Sequence, residues 1–316
     1  MLLGRLVSGG GWRAGGGAVR RAARRPLVRP RAGGARRTLA DGPGTWPLVV
    51  LSHGTGGSAL ALGWLARRLA ERGYVAIGAN HHGNWIGEPY RPEGFLCWWE
   101  RAGDLSVLLD HLPAEPWLAG RVDATRVCAA GFSLGAHTIL TLLGAVTDMA
   151  RFARWARARR LPTGPPQFPD LAERLPALLR DSAVFRSSWE RRTQDRLDPR
   201  LCTGLLIAPP PVVPAFHDKR LAGIVKPLRI VAGEADLEAA TGDGAGWLQA
   251  RLPDSTLTVL PAAGHFVFLP EATLAGLRDA GGLCLDPPGV DRRAIHDQVA
   301  ALACDLFQAS GTGPHP

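Results

Sequence analysis

Residues 126–146 read RVCAAGFSLGAHTILTLLGAV, and the architecture can be worked out from this stretch. The apolar run over 126–132 predicts a buried strand, and the apolar residues over 134–146 predict a helix. Between them lies the pentapeptide GFSLG (131–135). A serine on so tight a strand-to-helix turn has an exposed hydroxyl beside the positive end of the helix dipole. We therefore expect Ser133 to be a nucleophile.

The alternation of strand, loop and helix is repeated along the chain. Buried strands are predicted before the pentapeptide and after it, and most are followed by an amphipathic helix. The strand segments are WPLVVLS (46–52), YVAIGAN (74–80), LCTGLLIAPP (201–210), PLRIVAGEAD (227–236) and STLTVLP (255–261). Strands that are apolar throughout and alternate with helices predict an α/β fold with a mostly parallel, doubly wound sheet. Ligands bind such sheets at the carboxyl ends of the strands.

The chain divides into three kinds of segment. Residues 1–45 are rich in Gly, Ala and Arg without helical or strand periodicity, which predicts a disordered leader. The alternating strands and helices of the predicted α/β core occupy 46–147 and 201–312. Between them, 148–200 contains arginines, prolines and short helical pieces, which predicts a helical cap or lid inserted into the core.

The net charge of +9 comes from the leader. Residues 1–45 hold ten arginines and one acid, so the remaining 27 basic and 27 acidic residues cancel. A nucleic-acid partner is therefore not expected. No segment has the ~20 apolar residues of a membrane span, and the leader lacks the apolar core of a secretory signal. It resembles a transit peptide, but we favour a misassigned start, so the predicted location is cytoplasmic by default, or exported if the true start differs.

Neither a metal site nor a disulfide framework is predicted. The five cysteines are widely spaced without a CxxC pair, which favours free, mostly buried thiols. The pair His81-His82 has no further ligands at a suitable spacing. We therefore expect no metal and no cofactor, and the sequence leaves the oligomeric state open.

A serine nucleophile needs a histidine base and an acid that orients it. In this architecture both follow the serine along the chain, each in a loop after a strand. Asp236 and His265 meet these conditions. Alternative acids are Glu234, Asp218 and Asp243, with Glu234 the strongest. Alternative bases are His137, His296 and His217.

The oxyanion of the tetrahedral intermediate needs two N–H donors. We expect one from Leu134, the residue after the nucleophile, and one from Thr55 in the glycine-rich loop HGTGG (53–57). A substrate pocket can be assigned only from side-chain type. The candidates are His53, His82, Trp85, Phe168 and Trp189, together with Trp98 and Trp99, for which packing between cap and core is favoured.

Five motifs resemble those of bacterial α/β-hydrolases described as predicted dienelactone hydrolases, which are similar to platelet-activating factor acetylhydrolases. They are PLVVLSHGTGGS (47–58), GWLARRLAERGYVAIGANHHGN (63–84), WWERAGDLSVLLDHL (98–112), GFSLGAHT (131–138) and AGHFVFL (263–269). The resemblance implies an α/β-hydrolase fold, a Ser133, Asp236 and His265 triad, and oxyanion donors at Thr55 and Leu134. It also implies hydrolysis of a small carboxylic ester through an acyl-enzyme.

The sequence departs from this family in three ways. Dienelactone hydrolases use a cysteine nucleophile, whereas Ser133 stands here. Acetylhydrolases take their acid after an earlier strand, where LLIAPPPVV (205–213) has no carboxylate. Members also carry strands ahead of the His-Gly motif, where this chain has its leader. An amidase or lipase would share the same residues, and a non-catalytic binding protein of this fold is the other alternative.

Overall fold

The computed structural model describes residues 45–116 and 118–311, so the predicted leader lies outside the described residues apart from Thr45. All strands in this part of the chain pair in parallel in one sheet, in the order β2-β1-β3-β4-β5-β6. The strands are β1 (Trp46–Ser52), β2 (Val75–Gly78), β3 (Val122–Phe132), β4 (Leu201–Ile207), β5 (Leu228–Gly233) and β6 (Ser255–Leu260). The prediction of a parallel sheet is confirmed.

Helices lie between these strands and after the last one. They are α1 (Gly63–Ala70), α2 (Pro92–Leu96), α3 (Glu100–His111), α4 (Leu134–Leu142), α5 (Met149–Ala158), α6 (Leu171–Asp181), α7 (Ala183–Glu190), α8 (Asp218–Ala222), α9 (Ala245–Gln249), α10 (Leu274–Asp279), α11 (Gly281–Cys284) and α12 (Arg292–Ala309). The helices α10 and α11 are not predicted by the sequence pattern, because the short apolar pieces of this segment have no sustained period.

The sheet buries both of its faces, as the apolar strands predict. Along β1, Leu48 and Val50 belong to the core that includes α3, α4 and α9. Val49 and Leu51 belong to the opposite core, which includes α1 and α12. Alternate residues of a strand point to opposite faces, so a strand that is apolar at every position is the expected one here. The doubly wound arrangement is confirmed.

The segment 148–200 forms α5, α6 and α7, and both of its ends are hydrogen-bonded to residues outside it. The amide of Asp148 donates to Ala215 O, and the amide of Asp198 donates to Leu142 O at 2.9 Å. Apolar side chains of α6 and α7 pack on α2 and on the residues after it. This cluster, the cap cluster below, contains Phe95, Leu96, Cys97, Trp99, Leu171 and Phe185, with Phe168 and Trp189 at its edge.

Candidate active site

Ser133 has the backbone of a nucleophile turn. It follows the last residue of β3 and precedes α4, with φ 52° and ψ −121°. Its amide donates to Ile207 O at 2.8 Å, which ties the turn to β4. A positive φ at a residue with a Cβ costs roughly 1–3 kcal/mol and persists only where the surroundings enforce it. The strain at Ser133 marks this turn as a candidate site.

The two glycines of GFSLG are needed because backbone passes close to both. A Cβ on Gly131 would lie 2.2 Å from the carbonyl oxygen of Gly135, and one on Gly135 would lie 2.0 Å from that of Ser52. Neither neighbour can move without moving a strand or the helix. The close contact to Ser52 also brings the start of α4 against the end of β1, where the glycine-rich loop begins.

Asp236 and His265 lie together after β5 and β6. Oδ2 of Asp236 is 2.7 Å from Nδ1 of His265, and their side chains are 0% and 8% exposed. The other carboxylate oxygen, Oδ1, accepts the amides of Glu238 and Ala239 at 2.9 and 2.7 Å. Since one oxygen is held by backbone, the second is fixed in direction towards the imidazole. A carboxylate in this position fixes the tautomer with the proton on Nδ1, which leaves Nε2 free to accept a proton.

Backbone contacts hold the loops of the acid and the histidine together. The amide of Glu234 donates to Leu260 O at 3.0 Å, and that of Ala235 donates to Ala263 O at 3.0 Å. A Cβ on Gly233 would lie 2.1 Å from the same Ala263 oxygen. The spacing between the two side chains is thus set by the main chain.

The histidine lies beside the nucleophile turn. The rings of Phe132 and His265 are in contact, with centroids 4.8 Å apart. Ser133 is the next residue after Phe132 and is half-buried. The structure therefore brings Ser133, Asp236 and His265 to the same carboxyl edge of the sheet.

The alternative acids are engaged elsewhere. Glu234 is exposed and accepts the amide of Ala262 at 3.1 Å. Asp218 binds Arg151 and Arg251 at the surface. Asp243 forms an ion pair with Arg159. Among these carboxylates and Asp236, the contact to His265 is made by Asp236.

The alternative bases lie in packed or exposed positions away from the turn. His137 is fully buried and stacks on Phe216, and burial lowers its pKa to about 3. His296 stacks on Trp64 and donates from Nε2 to Val267 O at 2.8 Å, and burial lowers its pKa to about 4. His217 is partly exposed, 4.0 Å from Asp148.

The peptide that carries the Thr55 amide is held by two donors. The oxygen of Gly54 lies 2.7 Å from Nδ1 of His53 and accepts the amide of Gly57 at 3.2 Å. In a planar trans peptide the N–H points opposite to the C=O, so these contacts direct the N–H of Thr55 to the other side. Thr55 is exposed, and the Gly56 amide is occupied by Asn84 Oδ1 at 2.7 Å.

The other expected donor, Leu134, opens α4 and is buried. The glycine-rich loop and the nucleophile turn approach each other closely, since a Cβ on Gly54 would lie 3.2 Å from the Cβ of Ser133. Both expected donors therefore border the serine.

Four of the pocket candidates, His53, His82, Trp85 and Trp189, occupy different environments. His53 is fully buried beneath the loop, and His82 is exposed with Nδ1 3.1 Å from Glu88. Trp85 is half-buried. It lies beside the glycine-rich loop, because the amide of the next residue, Ile86, donates to Gly57 O at 2.9 Å. Trp189 is in the cap cluster, with its ring centroid 5.6 Å from that of Trp99.

A buried polar network that the sequence did not predict lies below the glycine-rich loop. The hydrogen bonds of this network are those of histidine side chains in their neutral form. Burial holds the pKa values of His53 and His81 well below their usual range, with the positive charge of Arg101 acting in the same direction. His53 therefore carries its proton on Nδ1, facing Gly54 O, and accepts the amide of His81 at Nε2.

His81 continues the network to the surface. Its Nδ1 lies 2.8 Å from Oδ2 of Asp104, and its Nε2 lies 3.1 Å from the hydroxyl of Ser52. The sequence signal for these partners was weak, since Arg101 and Asp104 lie on an amphipathic helix whose charges are usually solvated.

No group of three or more His, Cys, Asp or Glu side chains in 45–116 and 118–311 is arranged to hold a metal ion. All five cysteines are free, and four are buried. None of the helices described is long and apolar enough to cross a membrane.

Solved structures identify the fold. No family profile matches the sequence, and no curated protein is similar to it. A ferulic acid esterase from Streptomyces cinnamoneus superposes with a TM-score of 0.51 and 18% identity, over 87% of this chain and 70% of that one. Esterase 2 of Thermogutta terrifontis, phosphorylated by paraoxon, superposes with a TM-score of 0.51 and 15% identity, over 86% of each chain. The chain has an α/β-hydrolase fold.

Proposed function

We propose that this chain is a serine hydrolase that cleaves carboxylic esters through an acyl-enzyme on Ser133. The observation that carries the proposal is the buried 2.7 Å contact between Asp236 Oδ2 and His265 Nδ1 at the edge of the sheet where Ser133 is strained. An acid, a base and a nucleophile in this order and at this edge are the elements of acyl transfer.

Each residue has one role in the proposed reaction. Nε2 of His265 takes the proton of the Ser133 hydroxyl as its oxygen attacks the ester carbonyl, and then gives that proton to the leaving alcohol. Asp236 holds the tautomer and stabilises the imidazolium. Water then attacks the acyl-enzyme by the same route and releases the acid.

The amides of Thr55 and Leu134 are the proposed donors to the oxyanion. Preorganised donors of this kind typically contribute about 100- to 1,000-fold each to the rate. Their preorganisation here comes from the fixed Gly54 carbonyl and from the first turn of α4.

For the substrate, we propose a small or medium carboxylic ester. The two esterases of the same fold support ester cleavage, and the resemblance of the motifs supports the dienelactone hydrolase-like subclass. Trp85 is the proposed pocket wall, since it is half-buried and adjoins the glycine-rich loop. We also propose that α5, α6 and α7 act as a cap over this edge of the sheet.

The decisive experiment compares the wild type with Ser133→Ala and Ser187→Ala on p-nitrophenyl esters from acetate to palmitate. Ser187 is an exposed serine on α7 and serves as the matched control. We expect activity in the wild type and in Ser187→Ala, and none above background in Ser133→Ala. A fluorophosphonate probe should label Ser133, as located by peptide mass spectrometry. Folded wild type without hydrolysis or labelling would refute the proposal and point to a binding role.

A further inference from the structure

Arg101 is a cation buried beside the candidate site without being part of the triad. It lies in the first turn of α3 and is 2% exposed. Its guanidinium donates from Nη2 to His53 O, from Nε to Thr138 Oγ1 at 3.1 Å, and from Nη1 to Asn84 Oδ1 at 3.4 Å. One side chain thus joins three separate segments of the chain.

Each acceptor of Arg101 adjoins one side of the proposed oxyanion hole. On the loop side, His53 O precedes Gly54, and Asn84 Oδ1 also accepts the Gly56 amide at 2.7 Å. These two contacts lie on either side of Thr55.

On the helix side, Thr138 donates its hydroxyl to Leu134 O at 3.1 Å. This contact fixes the first turn of α4, from which the amide of Leu134 projects. Arg101 is therefore the direct link between the segments that carry the two proposed donors.

Burial of the charged guanidinium of Arg101 is not expected to stabilise the fold by itself. Desolvating a cation is costly, and apolar replacements of buried charges are often neutral or stabilising. Burial lowers the pKa of Arg101 to about 9, so it keeps its charge at neutral pH. The nearby imidazoles of His53 and His81 are neutral, and the carboxylate of Asp104 is the opposite charge that acts on the guanidinium.

We propose that Arg101 is a positioning residue that holds the amides of Thr55 and Leu134 in the arrangement that binds the oxyanion. The inference rests on the proposed function and deepens it. A planar guanidinium suits this role because its donors diverge in fixed directions, whereas a lysine ammonium supplies a point charge on a flexible stem.

The test compares Arg101→Met and Arg101→Lys with the wild type on the best p-nitrophenyl ester. Loss of a contact that acts in the transition state lowers kcat and kcat/KM together. We expect Arg101→Met to lose about 100-fold in kcat, the effect typical of one oxyanion donor, with KM nearly unchanged. Arg101→Lys should lose less. Arg200→Met is the matched control, since Arg200 binds Asp198 and Asp110 away from the loop, and it should keep its kcat.

A second measurement separates positioning from general destabilisation. A trifluoromethyl ketone forms a tetrahedral, anionic adduct with the serine, whereas the corresponding secondary alcohol is neutral and forms no adduct. The affinity for the ketone should fall in proportion to kcat in the Arg101 variants, and the affinity for the alcohol should stay constant. If Arg101→Met does not fold, Thr138→Val removes the contact from Arg101 Nε and the contact to Leu134 O with little change in side-chain shape, and it should give a smaller loss of the same kind.

The outcomes distinguish the two proposals. Normal kcat and normal ketone affinity in folded Arg101→Met, with Ser133→Ala inactive, would overturn the positioning role and leave the proposed function intact. Equal loss of kcat in Arg101→Met and Arg200→Met would also overturn it. Absence of wild-type hydrolysis would overturn both.

Discussion

His265 and Asp236 are joined at 2.7 Å through Nδ1 and Oδ2, while the opposite carboxylate oxygen of Asp236 is held by two main-chain amides. The two oxygens of one carboxylate thus have different tasks. Oδ1 fixes the side chain to its own loop, and Oδ2 sets the tautomer of the imidazole.

This division predicts the effect of Asp236→Asn. The amide oxygen can still accept from Glu238 and Ala239, so the fold should be kept. The amide nitrogen would face His265 and favour the tautomer with the proton on Nε2, which cannot accept the serine proton. We expect kcat to fall by roughly 10⁴-fold, as for an orienting aspartate.

Steady-state kinetics on a p-nitrophenyl ester check this prediction, with Glu234→Gln as control. Glu234 lies in the same loop but contacts the Ala262 amide, so its variant should retain kcat. The reverse ranking, with Glu234→Gln inactive and Asp236→Asn active, would assign the acid to Glu234.

The second prediction concerns Gly135→Ala. Its Cβ would lie 2.0 Å from the carbonyl oxygen of Ser52, and backbone there cannot move without shifting β1 or α4. We expect the free energy of unfolding to fall by about 3 kcal/mol or more, since overpacking of this kind typically costs 1–3 kcal/mol or more. Urea unfolding followed by circular dichroism measures it. Gly242→Ala is the control, because its Cβ would have no neighbour within 4 Å. Equal stability of the two variants would contradict the prediction.

The third prediction concerns the strain at Ser133, whose φ is 52°. Glycine adopts positive φ freely, so Ser133→Gly should raise the free energy of unfolding by about 1 kcal/mol while abolishing activity. Ser133→Ala keeps a Cβ and therefore the strain. It should lose activity without the gain in stability. Thermal unfolding of both variants distinguishes strain from the loss of the hydroxyl, and a stabilised Ser133→Ala would argue against strain.

The fourth prediction concerns pH. Burial lowers the pKa of His137 from 6.5 to about 3 and that of His296 from 6.5 to about 4. The unfolded chain therefore binds protons below pH 6.5 that the folded chain does not bind until far lower pH. The free energy of unfolding is highest above pH 6.5 and should fall between pH 6.5 and 4, by up to about 1.4 kcal/mol per pH unit for each histidine.

Urea unfolding between pH 4.5 and 7.5 measures this slope. His296→Phe keeps a ring on Trp64 and removes one titrating group. Its stability should depend less steeply on pH than that of the wild type, whatever its absolute value. An unchanged slope would show that His296 does not carry this dependence.

The sequence predicted the elements whose signals are local. Six apolar strand segments and the glycine spacing around Ser133 were sufficient for the parallel sheet and its strained turn, because burial on both faces requires apolar residues at every strand position. The contact between Asp236 and His265 was predictable because each residue follows a strand, and parallel strands end at one edge.

Other features depend on contacts between distant segments. In the sequence, Arg101 stands in an amphipathic helix, where an arginine is usually solvated. It is buried only because α3 approaches the glycine-rich loop. The short helices α10 and α11 and the cap cluster likewise depend on packing partners far along the chain. Trp189 was predicted as a pocket residue from its type, and the structure places it against Trp99.

The hydrogen bond at the base of the segment that holds α5, α6 and α7 has a consequence for how this segment can vary. The amide of Asp198 donates to the carbonyl oxygen of Leu142, which lies shortly before the segment begins, so the two ends of the segment are close together. The entropic cost of closing such a segment grows only slowly with its length. A segment of different length or sequence can therefore replace 148–200, by evolution or by grafting, without altering the register of β3 and β4, provided that the new segment covers Trp99.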